Sequence, residues 1–330
     1  MLGGVKDQLA LFAGDVDDAG VEPVVDARDL DLRAALPEHV RFGTCTWTFP
    51  GWRGIVYAGT PSEASLRTSG LRAYARFPLF RTVSIDRAFY EPLSAETLDG
   101  YAQGLPLDFR AMAKMWSEVV TYVPKHGARA GTVNPNFLSA EVAAHVVAPY
   151  RGAFRPHTGP FTLELPPIPD GALPARAFHG KLERFLERLP TDFRYAVELR
   201  NRAYFTPRYL AILRAHRVGH VFNFWTGMPE LRVQLAAPGS ITTDFVVSRL
   251  LLPPFTRYAE KKVEYAPFNR IARAEPGMRE DVLDLVRQAT EAGSLPVYVV
   301  VNNKAEGCAP LTVRALEDAL VARLRRTETG

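Results

Sequence analysis

The stretch Tyr195-Ala196-Val197-Glu198-Leu199-Arg200 decides the fold. It is an apolar run too short for a helix, and it ends in two charged side chains. The same form returns along the chain. Runs that read as strands are Phe42–Thr46, Thr82–Ile85, Arg110–Lys114, Phe161–Leu165, Tyr195–Leu199, His220–Phe224, Asp244–Arg249 and Val297–Val301. Amphipathic segments lie between them, among them Ser139–Tyr150, Ala175–Leu189, Pro207–His216, Arg279–Ala292 and Leu311–Arg325. Within the fourth of these, Leu283, Val286 and Ala289 keep helical spacing. Eight strands alternating with helices imply a parallel sheet, and 330 residues are enough to close it. The expectation is a single (β/α)₈ barrel over residues 39–330, behind an acidic, poorly ordered N-terminal tail over 1–38. Asp15, Asp17, Asp18, Glu22, Asp26, Asp29 and Asp31 give that tail a composition that folds poorly alone.

Composition removes several classes of function. Forty Lys and Arg against 36 Asp and Glu leave +4, too mild an excess to establish nucleic-acid binding. Two cysteines, Cys45 and Cys308, imply no disulfide framework, and Cys45 reads as a buried apolar filler. The N-terminus lacks the order of a secretory signal, and no apolar run is long enough to span a bilayer. A cytoplasmic location is expected. No Gly-x-Gly-x-x-Gly follows the first strand, and there is neither a P-loop nor a Gly-x-Ser-x-Gly elbow.

Active sites of such barrels lie at the C-terminal strand ends, so the residues delivered there are the candidates. Asp86, Lys114, Glu164 and Glu198 form the catalytic set, since two carboxylates and a lysine suffice for acid–base chemistry. Arg200 and Arg249 are candidate anion clamps. Asn223, Asn302 and Asn303 would orient a ligand, with Thr44, Trp47, Trp52, Tyr57 and Tyr90 around it. For each residue a structural role, in an ion-pair network or in packing, stands as the alternative. The segment around Pro253–Phe268 is long, aromatic and a candidate lid. No histidine sits at a strand end, so no cofactor is expected; Mg²⁺ or Mn²⁺ on Asp86, Glu164 and Glu198 is the secondary alternative.

At these residues the chain resembles the YecE-like family (domain of unknown function 72). Gly43-Thr44-Cys45-Thr46-Trp47, with Trp52-Arg53-Gly54 and Tyr57, is similar to the family's Gly-Thr-Ser-Gly-Trp and Trp-x-Gly-x-x-Tyr. Ile85-Asp86-Arg87-Ala88-Phe89-Tyr90, Ala113-Lys114, Leu163-Glu164-Leu165-Pro166-Pro167, Ala196-Val197-Glu198-Leu199-Arg200, Val301-Asn302-Asn303 and Ala309 follow its later motifs in order. The resemblance covers about Arg41 to Leu320 and implies a (β/α)₈ barrel without an established activity. Three departures stand out. Ser84 stands where the family usually has Glu, and Glu164 where it has Gln. After Arg249, Leu250-Leu251-Leu252 replaces Leu-His-Gly.

Gln8-Leu9-Ala10-Leu11-Phe12 resembles the peptide by which bacterial proteins dock on the DNA polymerase sliding clamp. Gln8, Leu9, Leu11 and Phe12 would be the anchors, unless the segment packs on its own barrel. Three functions follow as expectations. The first is a hydrolase, lyase or isomerase acting on a small anionic or sugar-like ligand at the mouth. The second is a DNA-associated enzyme or adaptor recruited through residues 8–12. The third is a non-catalytic binding barrel.

Overall fold

The computed structural model describes residues 20–254 and 256–328. Eight parallel strands close into a barrel in chain order: β1 Val40–Thr44, β2 Thr82–Ile85, β3 Arg110–Lys114, β4 Thr158–Glu164, β5 Tyr195–Glu198, β6 Gly219–Phe224, β7 Val246–Leu250 and β8 Val297–Val301. The helices are α1 Ala27–Ala35, α2 Glu63–Arg76, α3 Ala95–Ala102, α4 Ser117–Val120, α5 Ala140–Val147, α6 Ala175–Leu186, α7 Pro207–Ala215, α8 Leu231–Ala236, α9 Tyr258–Glu264, α10 Pro276–Glu291 and α11 Ala309–Glu328. Among the described residues no helix is long and apolar enough to cross a membrane.

The strands are apolar on both faces, as a sheet covered on both sides requires. One set of side chains, including Phe42, Val83, Ile85, Ala111, Phe161, Leu163, Val197 and Val299, packs outward beneath the helices. The alternate set fills the interior: Met112, Ala196, Val221, Val247, Tyr298 and Val300, joined by Cys45. Closure between β1 and β2 demands Gly43, because a Cβ there would stand 1.9 Å from the Thr82 carbonyl oxygen. Strand β4 starts at Thr158, three residues ahead of the expected Phe161, and so takes in Gly159-Pro160. Proline cannot donate to a ladder, and the β3–β4 register shifts between Ala111 and Ala113 beside it.

Residues 20–38, which composition assigns to the tail, are built onto the barrel. Val24 N donates to Val56 O at 2.8 Å, and Ala58 N to Glu22 O at 2.9 Å. Asp26 caps α1 by accepting from Asp29 N at 2.8 Å. Asp29 is fully buried and takes both branches of Arg314 on α11, at 2.9 and 2.5 Å. Arg28 pairs with Asp318 at 2.6 Å, Arg33 with Asp108 at 2.8 Å, and Leu32 and Leu36 enter the core. The acidity here is complementary to basic residues of the barrel, not a mark of solvation. The expected partner-binding residues Gln8, Leu9, Leu11 and Phe12 lie outside the described residues.

The candidate lid is tied down at its C-terminal end. Its Phe268 meets Phe49 of the β1 loop edge to face at 5.8 Å, and Tyr265 is buried. Downstream, the buried Glu306 carboxylate accepts from Glu275 N at 2.6 Å and from Arg279 Nε at 2.9 Å and Nη2 at 2.8 Å. Gly307 lets this crossing close, since a Cβ would lie 2.6 Å from Ala272 N.

Removing a carboxylate whose guanidinium partner is mostly buried costs more than a surface pair is worth. Asp29→Ala is therefore expected to lower stability by about 2–3 kcal/mol, read from urea denaturation. A loss below about 0.5 kcal/mol, the level of an exposed pair, would mean that α1 is held by its leucines and its other ion pairs.

Candidate functional site

Strand parity puts the charges in one layer. Lys114 follows Met112 on the inward face of β3, Glu198 follows Ala196 on β5, and Arg249 follows Val247 on β7. They sit one step above the apolar plug, toward the C-terminal mouth. Glu164 on β4 is in register with Glu198, so two carboxylates stand side by side and need cations.

Arg249 provides the centre and is 1% exposed. Its Nη1 donates to Glu164 Oε2 at 2.7 Å and also to Glu198 Oε2. Its Nη2 lies 3.4 Å from Asp86 Oδ1 and 3.9 Å from Cys45 Sγ. Lys114 Nζ bridges Asp86 Oδ2 at 2.8 Å and Glu164 Oε2 at 3.0 Å. Arg200 Nη2 lies 2.7 Å from Glu198 Oε1 and 3.2 Å from Glu164 Oε2. Three carboxylates and three cations thus form one charge-neutral cluster. Glu198 is wholly buried, whereas the side chains of Asp86, Glu164 and Lys114 keep 28%, 16% and 12% exposure and form its open edge.

The neighbours lock the protonation states. Burial pushes the Glu164 carboxyl upward, but Arg200, Lys114 and Arg249 outweigh it and hold the group well below the usual carboxylate range. Burial lowers Lys114, yet Asp86 and Glu164 overcome burial and the repulsion of Arg249 and raise it. Arg249 rises well above its ordinary value, as Glu198 and Asp86 overcome its desolvation. Burial and Asp86 push the Cys45 thiol up to about 11, which keeps it protonated at neutral pH and unsuited to nucleophilic attack.

The catalytic candidates Asp86, Lys114, Glu164 and Glu198 are therefore brought together, with Arg200 and Arg249 between them. The other ligand-binding candidates are not. Thr44 faces away from the mouth; its Oγ1 and backbone N bond to the Tyr74 hydroxyl of α2 at 2.9 and 2.8 Å. Trp47, Trp52 and Tyr57 are buried in the outer core, and the Tyr57 hydroxyl donates to the Trp47 carbonyl. Asn303 Oδ1 accepts from Trp52 Nε1 at 3.2 Å and from Ala309 N, at the start of α11, at 2.8 Å. Asn302 Oδ1 closes a turn onto Lys304 N at 3.0 Å. Asn223 is buried in β6, its Nδ2 donating to Leu199 O at 2.7 Å and its Oδ1 without a partner. Tyr90 stands on the rim, 78% exposed, against Phe89.

Three further groups belong to the site. Ser84 Oγ donates to Asp86 Oδ1 at 2.6 Å. The Phe89 ring lies 5.5 Å from Lys114 Nζ. Trp225 stacks on the Arg200 guanidinium at 4.0 Å. Trp225 follows Asn223 by two residues, as strand parity expects at the end of β6. Leu251 packs with the interior apolar cluster. Among the described residues no group of three or more His, Cys, Asp and Glu is arranged to hold a metal ion; cations of the protein occupy the space among these carboxylates.

The family model described as "Protein of unknown function DUF72" matches residues 41–329. A DUF72 family protein from Thermotoga maritima superposes with a TM-score of 0.60 at 18% identity, covering 85% of this chain and 98% of that one. One from Enterococcus faecalis gives 0.58 at 16% identity, covering 85% and 97%. No functionally curated protein matches the chain.

Truncating Glu198 would leave Arg249 buried beside an unfilled charge. Glu198→Ala is expected to cost about 3–5 kcal/mol in chemical denaturation, and Glu198→Gln less. Glu164 titrates below its unfolded value, so its stabilisation is complete above about pH 4.5. It is lost as pH falls through the folded value. Urea midpoints measured from neutral pH downward should drop below that point, and Glu164→Gln should make the drop shallower. An unchanged acid limb in the variant would mean that the cluster does not hold Glu164 ionised.

Proposed function

We propose that this chain, which belongs to the DUF72 family, binds a small, neutral, hydroxyl-rich ligand of the sugar type at the C-terminal mouth of its barrel. The observation that carries this reading is the charge balance of the mouth. Lys114, Arg200 and Arg249 are each already engaged by carboxylates. An anionic ligand would have to displace one of them and leave it buried without a partner, which is costly. The open edge instead offers two carboxylates, Asp86 and Glu164, around one lysine. Carboxylates accept hydrogen bonds on several lone pairs and suit hydroxyl donors. The aromatic rings of Phe89 and Tyr90 add apolar faces at the rim.

The locked charge states also bear on the chemistry. A carboxylate held far below the ordinary range is a poor general acid or base at neutral pH. Glu164 therefore fits as a fixed anion, facing positive charge that develops on the ligand, and Lys114 as a fixed hydrogen-bond donor. This narrows the acid–base expectation to electrostatic stabilisation.

Thermal-shift screening followed by calorimetry, with monosaccharides and polyols against sugar phosphates and carboxylates, tests the reading. Hydroxylated ligands should bind, and Glu164→Gln should weaken them at least tenfold, about 1.4 kcal/mol. Binding of carboxylates or phosphates that the variant leaves unchanged would sink it.

A further inference from the structure

The opposite end of the barrel is charged in another way. Where the strands begin, Arg33, Arg41, Arg81, Arg110, Arg155 and Arg194 gather with few acids between them. Asp108 serves Arg33 at 2.8 Å and Arg81 at 3.8 Å, and Asp244 serves Arg194 at 3.0 Å. Asp192 is taken by Arg151 at 2.8 Å. The remaining arginines are satisfied by uncharged acceptors. Arg41 donates to Asp108 O at 2.5 Å, Arg110 to Leu107 O at 2.6 Å, and Arg155 to Asp192 O. Among the described residues Arg41, Arg110 and Arg155 make no ion pair. Backbone carbonyls fix the geometry of a guanidinium without cancelling its charge, which Asp108 offsets only in part for Arg41 and Asp192 only in part for Arg155.

The arginines register that excess in one another. Burial first, then Arg33 and Arg41, push Arg81 down to about 10 even though Asp108 and Glu38 act against the fall. Arg81 Nε and Arg33 Nη1 are buried donors without acceptors. Two concavities open onto this face. One of about 250 Å³ is lined by Arg33, Arg76 and Arg81. One of about 350 Å³ is lined by Arg110, Arg155 and Arg194. Phe109 of the first and Arg110 of the second are neighbours in the chain.

We propose that this N-terminal face binds the phosphate backbone of a nucleic acid. Two neighbouring seats, each lined by three arginines against one aspartate (Asp108 in the first, Asp192 in the second), keep a positive excess and call for an anion that repeats at short intervals. Every cation lining them is arginine, whose planar fork engages phosphate oxygens two at a time. Phosphate contacts of this kind position a chain on nucleic acid without reading its sequence. The face lies at the other end of the barrel from Asp86, Lys114 and Glu164, so it is independent of the ligand assigned to the mouth.

Fluorescence anisotropy on the full chain tests the proposal, with labelled single-stranded and duplex oligonucleotides of about 20 nucleotides at rising salt. Binding should weaken linearly on a log–log plot. Arg110→Ala combined with Arg155→Ala should reduce affinity at least tenfold at low salt and lower the slope by about two. Thr191→Glu, which adds an anion at the exposed rim of the second seat without removing a contact, should weaken binding too. Glu164→Gln at the mouth should leave it unchanged. The proposal is overturned by no binding at the lowest salt, by full affinity in both face variants, or by polyglutamate displacing the oligonucleotide equally well at matched charge. That last outcome would assign the face to an acidic protein surface.

Discussion

The guanidinium of Arg249 stands at the centre of a closed barrel, and the rest of the mouth follows from keeping it there. A buried charge is tolerated only when it is paired and hydrogen-bonded. Glu198 and Glu164 meet that demand from β5 and β4. They place two carboxylates on adjacent strands, which Arg200 and Lys114 then compensate. Lys114 in turn requires Asp86, and Asp86 takes the Ser84 hydroxyl. The chain of requirements ends at the rim, where water can serve the last lone pairs. The exposed Asp86–Lys114–Glu164 edge is thus the outlet of a constraint set deep in the barrel.

Much of this was legible in the residues. Apolar runs of strand length and charged run ends located the barrel and its cluster, because both signals are local. The phase of each strand was harder to read. Both faces of a parallel barrel strand are apolar, so nothing in Gly43-Thr44-Cys45 tells that Cys45 turns inward and Thr44 outward to Tyr74. The aromatic residues Trp47, Trp52 and Tyr57 misled for a related reason: a large ring fits either a ligand or a helix layer, and here it fills the layer. The acidic stretch around Asp29 reads as a poorly ordered tail because its partner Arg314 lies 285 positions away.

The two ends of the barrel use arginine to opposite effect. At the mouth each guanidinium meets carboxylates, and the cluster is neutral. At the strand starts Arg41, Arg110 and Arg155 lean on carbonyl oxygens, Arg33 and Arg81 share one aspartate, and positive charge accumulates. The net +4 of the chain is therefore unevenly placed. Composition, which sums over the molecule, cannot show such a separation.

Ser84 and Glu164 carry a final consequence. Set beside the pattern the chain resembles, serine stands at one position where that pattern has Glu, and Glu at the other where it has Gln. The two meet in the same cluster, Ser84 on Asp86 at 2.6 Å and Glu164 on Lys114 at 3.0 Å. The two positions therefore bear on one charge count, because a carboxylate on either stave would face the same lysine and arginines. A single change at 84 or 164 alters the sum that these cations must balance, and only the pair together leaves it as it was.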